Sequence, residues 1–139
     1  MKRITTALMT CLLAATLFAD EKPWVAPARA AAKKNPIPSS PAAIDAGKKV
    51  FEKECLSCHG PSGKGDGPKA VQLKTRPRDL SVSQIAEQSD GALFWKLNEG
   101  RIPMPKFDEL LTEEQRWQVI HFVRTFAAAS VPANAAGAQ

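Results

Sequence analysis

Residues 55–59 read CLSCH, which places two of the chain's three cysteines and one of its two histidines within five positions. Cysteines three residues apart cannot staple distant segments together. The helical periodicity that signals a core is confined to roughly residues 43–126. A domain of that size buries little apolar surface and often depends on a disulfide, a metal or another prosthetic group. Whatever CLSCH holds is therefore expected to complete the fold as well as to perform chemistry.

The flanking segments contribute little core. Residues 1–19 begin with Lys2 and Arg3, continue through an uncharged apolar run and end at the small Ala19, the pattern of a secretory signal peptide. The apolar run is shorter than the roughly 20 residues of a spanning helix, and membrane contact is expected only if this segment is retained. Its removal takes Cys11 with it and lowers the formal charge from +5 to +3. That mild balance, without a cluster of arginine, lysine and aromatic residues, excludes a nucleic-acid binder. Residues 20–42 are rich in proline and alanine and read as a flexible, extended tether in which Trp24 has no evident role. Residues 127–139, small and uncharged, read as a disordered tail.

Three helices are expected within the domain. AIDAGKKVFEKEC has Asp45 as its N-cap and Ala46, Val50 and Phe51 on its apolar side, and it runs directly into CLSCH. DGALFWKLNEG has Asp90 as its cap, Leu93, Phe94 and Leu97 as its stripe, and Gly100 as its stop. A shorter turn of helix is expected around SQIAEQ. LTEEQRWQVIHFVRTF opens with a capping box between Thr112 and Gln115 and carries Trp117, Ile120, Val123 and Phe126 on a broad apolar face. Arg124 near its end suits the helix dipole. No strand is expected. The fold class is all-α, with about three to four helices and long glycine- and proline-rich loops, and loops of that length in a small domain ordinarily wrap something.

Three chemistries use cysteines at this spacing. Zinc needs about four ligands, and no second cysteine pair exists. A thioredoxin-like redox pair follows a strand in an α/β fold, whereas this motif ends a helix and is followed by glycine. A covalently attached haem uses every residue: Cys55 and Cys58 each add to a vinyl group at the porphyrin edge, and His59 binds the iron. C-x-x-C-H is the attachment signature of one c-type haem. Such a haem needs a second axial ligand, methionine or histidine. After the leader the chain offers Met104, 45 residues beyond His59 between Pro103 and Pro105, and His121 in the middle of a helix. The flanking prolines stiffen the Met104 loop, so Met104 is the expected ligand and His121 a hydrogen-bonded helix-face residue.

CLSCHGPSGKGDGP, GRIPMPKF and LTEEQRWQVIHFVRTF together resemble a small bacterial class I c-type cytochrome with one haem, over about residues 43–126. The resemblance implies a cytochrome c fold whose first and last helices cross beside the haem. It implies contact of Gly47 and Phe51 with an aromatic of the last helix, for which Phe122 is the candidate. It also implies a proline carbonyl that accepts from the free ring nitrogen of His59, with Pro68 the first candidate and Pro61 the second. Haem propionates need donors: Trp95 is one candidate, and one of Arg76 and Arg78 another. Lys64, Lys69, Lys96, Arg101 and Lys106 are candidates to ring the haem edge and orient partners.

Six-coordinate iron and the lack of any nucleophile triad or carboxylate pair argue for electron transfer without bond-making catalysis. The expected function is a one-electron carrier cycling between Fe(II) and Fe(III) in the periplasm or on the outer face of the inner membrane. Its expected partners are a redox protein donor and acceptor, one of which is in some settings a membrane respiratory complex. Two other readings stay open: a fixed haem subunit of a larger respiratory or dehydrogenase complex, and a haem sensor or weak peroxidase in which Met104 dissociates.

Overall fold

Two long helices frame the molecule, and their crossing fixes where the CLSCH motif emerges. The computed structural model describes residues 23–130. The segment expected to be a signal peptide and most of the expected tail lie outside them. Among the described residues there are six α-helices: α1 (Ala28–Ala31), α2 (Pro41–Glu54), α3 (Leu56–His59), α4 (Ser83–Ala86), α5 (Asp90–Glu99) and α6 (Glu113–Ser130), with a 3-10 turn at Ala70–Gln72. Strand geometry is limited to one isolated bridge between Arg101 and Met104. The fold is all-α, a cytochrome c fold with long loops, as expected.

Helix α2 starts earlier than the sequence suggested. Ser40 is its N-cap and accepts from the Ala43 amide at 3.1 Å, with Pro41 in the first turn. Proline suits that position because its missing N–H would have no helical partner there. Asp45 instead lies inside the helix and pairs with Lys49 at 3.0 Å on the exposed face. Ala43, Gly47, Val50 and Phe51 form the buried stripe. It packs on α6, where Gly47 meets the Gln118 carbonyl and Phe51 forms a tilted pair with Phe122, ring centroids 5.3 Å apart. Phe126 completes the cluster at 5.2 Å from Phe51.

The α6 capping box forms as expected: Gln115 N donates to Thr112 Oγ1 at 3.2 Å, and Thr112 N donates to Gln115 Oε1 at 2.9 Å. The helix continues to Ser130, past the Phe126 boundary, so Arg124 is not in its last turn. Its guanidinium reaches Asp90 and the carbonyls of Ile85, Ala86 and Gln88, tying α4 and the start of α5 to α6. Helix α5 is capped by Ser89, whose Oγ accepts from Ala92 N at 3.2 Å, with Asp90 as its first residue. Phe94 of α5 stacks on the fully buried Trp117 of α6 at 3.9 Å.

The described part of the proline-rich segment, residues 23–42, is not a free tether. It folds against α5 and α6 because its few polar and apolar side chains find partners there. Asn35 accepts from its own Ile37 amide at 3.0 Å and donates to the Trp117 carbonyl at 3.2 Å. His121, buried on α6, lies with Nε2 2.8 Å from the Ile37 carbonyl, which makes Nε2–H the donor. Lys33 pairs with Glu113 at 3.2 Å and lies over the rings of Phe94 and Trp117. Ser89 Oγ donates to the Ala31 carbonyl at 2.6 Å. No helix among the described residues is long and apolar enough to cross a membrane.

Candidate functional site

Helix α2 delivers the motif. Cys55 ends it, its amide bonded to Phe51 O at 2.9 Å, and a new turn begins at Leu56. The amides of Cys58 and His59 both donate to the Cys55 carbonyl, at 3.1 and 2.9 Å. One turn therefore holds Cys55, Cys58 and His59 as i, i+3 and i+4 neighbours, the relation that puts side chains on one face. Both cysteines are free and partly buried. Burial pushes the Cys55 thiol up to about 12, and the neighbouring Glu54 and Cys58 add to the rise.

The following loop folds back over this turn. Gly65 N donates to His59 O at 2.8 Å, Gly67 N to Cys58 O at 3.1 Å and Lys69 N to Ser57 O at 2.8 Å, which satisfies carbonyls left open at the end of α3. A Cβ on Gly67 would lie 2.5 Å from Ser57 O and 2.6 Å from Leu56 O. Glycine is what lets the loop close here, and the close approach is to the motif's own backbone.

His59 has one ring nitrogen sealed inside. Its Nδ1 is buried without a hydrogen-bond partner among the described residues, so the bond expected to a carbonyl of Pro68 or Pro61 is not made. Burial lowers the His59 pKa, and the Arg78 main chain beside the ring opposes that shift without reaching hydrogen-bond geometry. A neutral imidazole is the form that ligates metal.

Met104 arrives from the other side. The turn that carries it is closed by reciprocal bonds with Arg101, Arg101 N to Met104 O at 3.0 Å and Met104 N to Arg101 O at 2.8 Å, around a cis Ile102–Pro103 peptide. Phe107 anchors its far end, buried in the core with its amide on Leu97 O at 2.8 Å and its carbonyl accepting from Arg116 Nη1 at 3.3 Å. Met104, Cys55, Leu56, Leu80 and Leu97 all pack on one buried cluster of Val50, Phe51, Phe107, Leu111 and Val119. The motif and the methionine, far apart in sequence, thus share one apolar wall.

The other expected residues divide. Trp95 lines a cleft with Pro23, Trp24, Val25 and Arg101; it does not stack on Phe94, whose face is taken by Trp117. Arg76 is exposed and makes no ion pair among the described residues. Arg78 is the better placed of the two arginines, with its main chain at His59 and its charge felt by Lys96. Sequence reasoning grouped Lys96 and Arg101 at the haem edge but missed the approach of Arg78 to them; residues 18 and 23 positions apart carry no local signal of it. It also missed the partly buried Asn98 on α5, whose Oδ1 lacks a hydrogen-bond partner among the described residues.

These residues fit a covalently held porphyrin. Two free thiols and an imidazole share one turn, a thioether packs on the same apolar wall, and the imidazole keeps an unpaired buried nitrogen. No group of three histidine, cysteine, aspartate or glutamate side chains among the described residues is arranged as a separate metal site. Fold and site define a small c-type haem protein of the electron-carrying kind. Residues 44–127 match the family model described as Cytochrome c, and the chain belongs to the cytochrome c family.

Relatives agree with that membership. The chain is 32% identical to cytochrome c6 of Thermosynechococcus vestitus over 93 residues, covering 64% of this chain and 79% of that one. It is 36% identical over 63 residues to the cbb3-type cytochrome c oxidase subunit FixPc of Rhizobium leguminosarum bv. viciae, covering 40% of this chain and 22% of that subunit. Among solved structures, a chain of the Kuenenia stuttgartiensis reducing HAO-like protein complex superposes with a TM-score of 0.61 at 30% identity, over 66% of this chain and 46% of that one. The chain thus spans about a fifth of the FixPc subunit and under half of the HAO-like chain. It carries a single covalent c-type haem, and the members of its family are typically non-catalytic electron carriers.

Proposed function

We propose that this chain is a mobile one-electron carrier working outside the cytoplasm, with Cys55 and Cys58 as the thioether anchors, His59 as one axial ligand and Met104 as the other. The haem iron supplies the chemistry by alternating between Fe(II) and Fe(III). His59 ends the short helix α3 and Met104 sits on a separately braced turn, with Cys55 and Met104 packed on one apolar wall. That limits rearrangement between oxidation states, and a thioether ligand with an apolar surround favours Fe(II). The observation that carries the reading is the Met104 turn, pinned by Arg101 on one side and Phe107 on the other and packed on the wall that receives Cys55.

The test is the absorption spectrum of the exported holoprotein beside Met104→Ala. The parent is expected to show the far-red charge-transfer band of methionine bound to Fe(III), and the variant to lose it and to bind carbon monoxide when reduced. An unchanged spectrum in the variant overturns the assignment of Met104. Rapid carbon monoxide binding by the parent favours the sensor or peroxidase reading.

A second reading has specific support. Part-length likeness to an oxidase subunit and to a chain of a redox complex favours a haem module attached to a larger assembly. Co-purification of the chain with a membrane complex at high salt distinguishes this from a shuttle, whose encounters bury little area and dissociate.

A further inference from the structure

The family match begins at residue 44, yet the described segment before it is bound to the domain by Asn35, Lys33, Ala31 and Ile37. Its first described residues reach the far end of α5. There Trp24 lies under Lys96, whose Nζ is 5.3 Å from the indole centroid, and Trp24 lines a cleft with Trp95 and Arg101. Lys96 also donates to Gln88 Oε1. The indole and the amide together direct a side chain that would otherwise extend into water.

Lys96 has two cationic neighbours, Arg78 and Arg101. Both act on it with like charge, and with burial, the largest influence, they lower its pKa. None of the three is among the protein's ion pairs within the described residues. Three cations gathered around the partly buried Lys96 repel one another, and such a cluster is stabilised when an anion joins it. Its attachment points are informative. The main chain of Arg78 lies beside the His59 ring, and the main chain of Arg101 is paired with Met104. The cluster therefore joins a segment whose main chain lies at His59 to the turn that carries Met104. The anions a haem carries are its two propionate carboxylates.

We propose that residues 23–40 are a strap that completes the haem site, and that Trp24 is a positioning residue which holds Lys96, together with Arg78 and Arg101, toward the haem propionates. This rests on the haem reading above. The strap covers the partly buried Lys96, so the attraction of its ammonium to a carboxylate is less screened than at an open surface. The positive field favours Fe(II), the form with one electron more.

The experiment uses the full holoprotein and reads the Fe(II)/Fe(III) ratio at fixed ambient potentials, with the absorption spectrum recorded on each sample. Trp24→Ala is expected to lower the ratio about three- to ten-fold, the scale of one incompletely screened charge. Trp24→Phe, which keeps a ring face for the ammonium, is expected to restore most of it. Lys96→Gln is expected to lower the ratio as well, and Trp24→Ala added to Lys96→Gln is expected to lower it little further, since the indole acts through the lysine. Arg76→Gln, an exposed charge outside the cluster, serves as the control and is expected to change little. A Trp24→Ala variant with covalent haem and an unchanged ratio overturns the proposal, and so do fully additive effects of Trp24→Ala and Lys96→Gln. A protein without covalent haem overturns the haem assignment itself, which the spectrum shows separately.

Discussion

Gly47 of α2 lies directly against the Gln118 carbonyl of α6. A Cβ at this position would stand 2.1 Å from Gln118 O and 2.6 Å from Gln118 C. The two helices cross at backbone contact, and one turn later Phe51 wedges between Phe122 and Phe126. Because α2 ends in Cys55, this crossing sets where the haem-binding turn begins.

Gly47→Ala is therefore expected to destabilise the holoprotein. In an exposed helix the change would stabilise by about 1 kcal/mol through helix propensity. Here the obstruction is backbone rather than a flexible side chain, and overpacking of this sort costs roughly 1–3 kcal/mol or more. The net loss should be visible in urea denaturation as a lower midpoint with an unchanged slope. A midpoint equal to or above that of the parent would show that the crossing relaxes freely.

The strap gives a second prediction. Hydrogen bonds from Lys33 and Trp117 hold the Glu113 carboxyl below its ordinary value of 4.5. A group whose folded pKa is depressed contributes stability above its unfolded pKa and loses it as pH falls through the folded one. Protection of the strap amides against hydrogen exchange, corrected for intrinsic rates, should thus be flat above pH 4.5 and decline below it. In Glu113→Gln that decline should be weaker. The carboxylate is fully exposed, so the effect should also shrink in high salt. A decline of equal size in parent and variant would remove Glu113 from the account.

What the sequence made legible was whatever is written locally. The Thr112–Gln115 capping box, the Gly100 stop and the Gly47–Phe51 spacing each depend on residues within one or two turns, and each appears in the structure. CLSCH and Met104 stand out in the sequence because the chemistry proposed for them needs particular atoms and the chain holds few of them. The start of α2 was misread because Ser40-Pro41 sits in a proline-rich run that resembles linker, although serine followed by proline also satisfies the first positions of a helix. The strap was not legible. Asn35 and Lys33 find their partners about 80 residues downstream, and composition says nothing of such pairings. A separation of 18 and 23 residues likewise hid the approach of Arg78 to Lys96 and Arg101, so Arg76 and Arg78 looked equivalent until the fold separated them.

Arg124 supplies the last test. Its guanidinium bonds Asp90 Oδ1 through both Nε, at 3.1 Å, and Nη2, at 2.7 Å, and reaches the carbonyls of Ile85, Ala86 and Gln88. Ile85 O also accepts from Gln88 N at 3.2 Å, so the Ala86 and Gln88 carbonyls depend most on Arg124, and the Arg124–Asp90 pair is only about a quarter exposed on each side. One planar group thus fastens α4 and the first turn of α5 to α6. Arg124→Ala would leave several of these acceptors unsatisfied and is expected to cost about 2–4 kcal/mol, given roughly 1–3 kcal/mol for a buried group left unpaired and more for charged ones. Arg124→Lys keeps the charge but cannot present the same fork of donors to five bonds, so it should recover only part of the loss. Thermal unfolding of the holoprotein followed at the haem band measures both. Full recovery by lysine would mean that charge alone holds the junction, and parental stability in Arg124→Ala would mean that the apolar packing of Phe94 on Trp117 suffices without it.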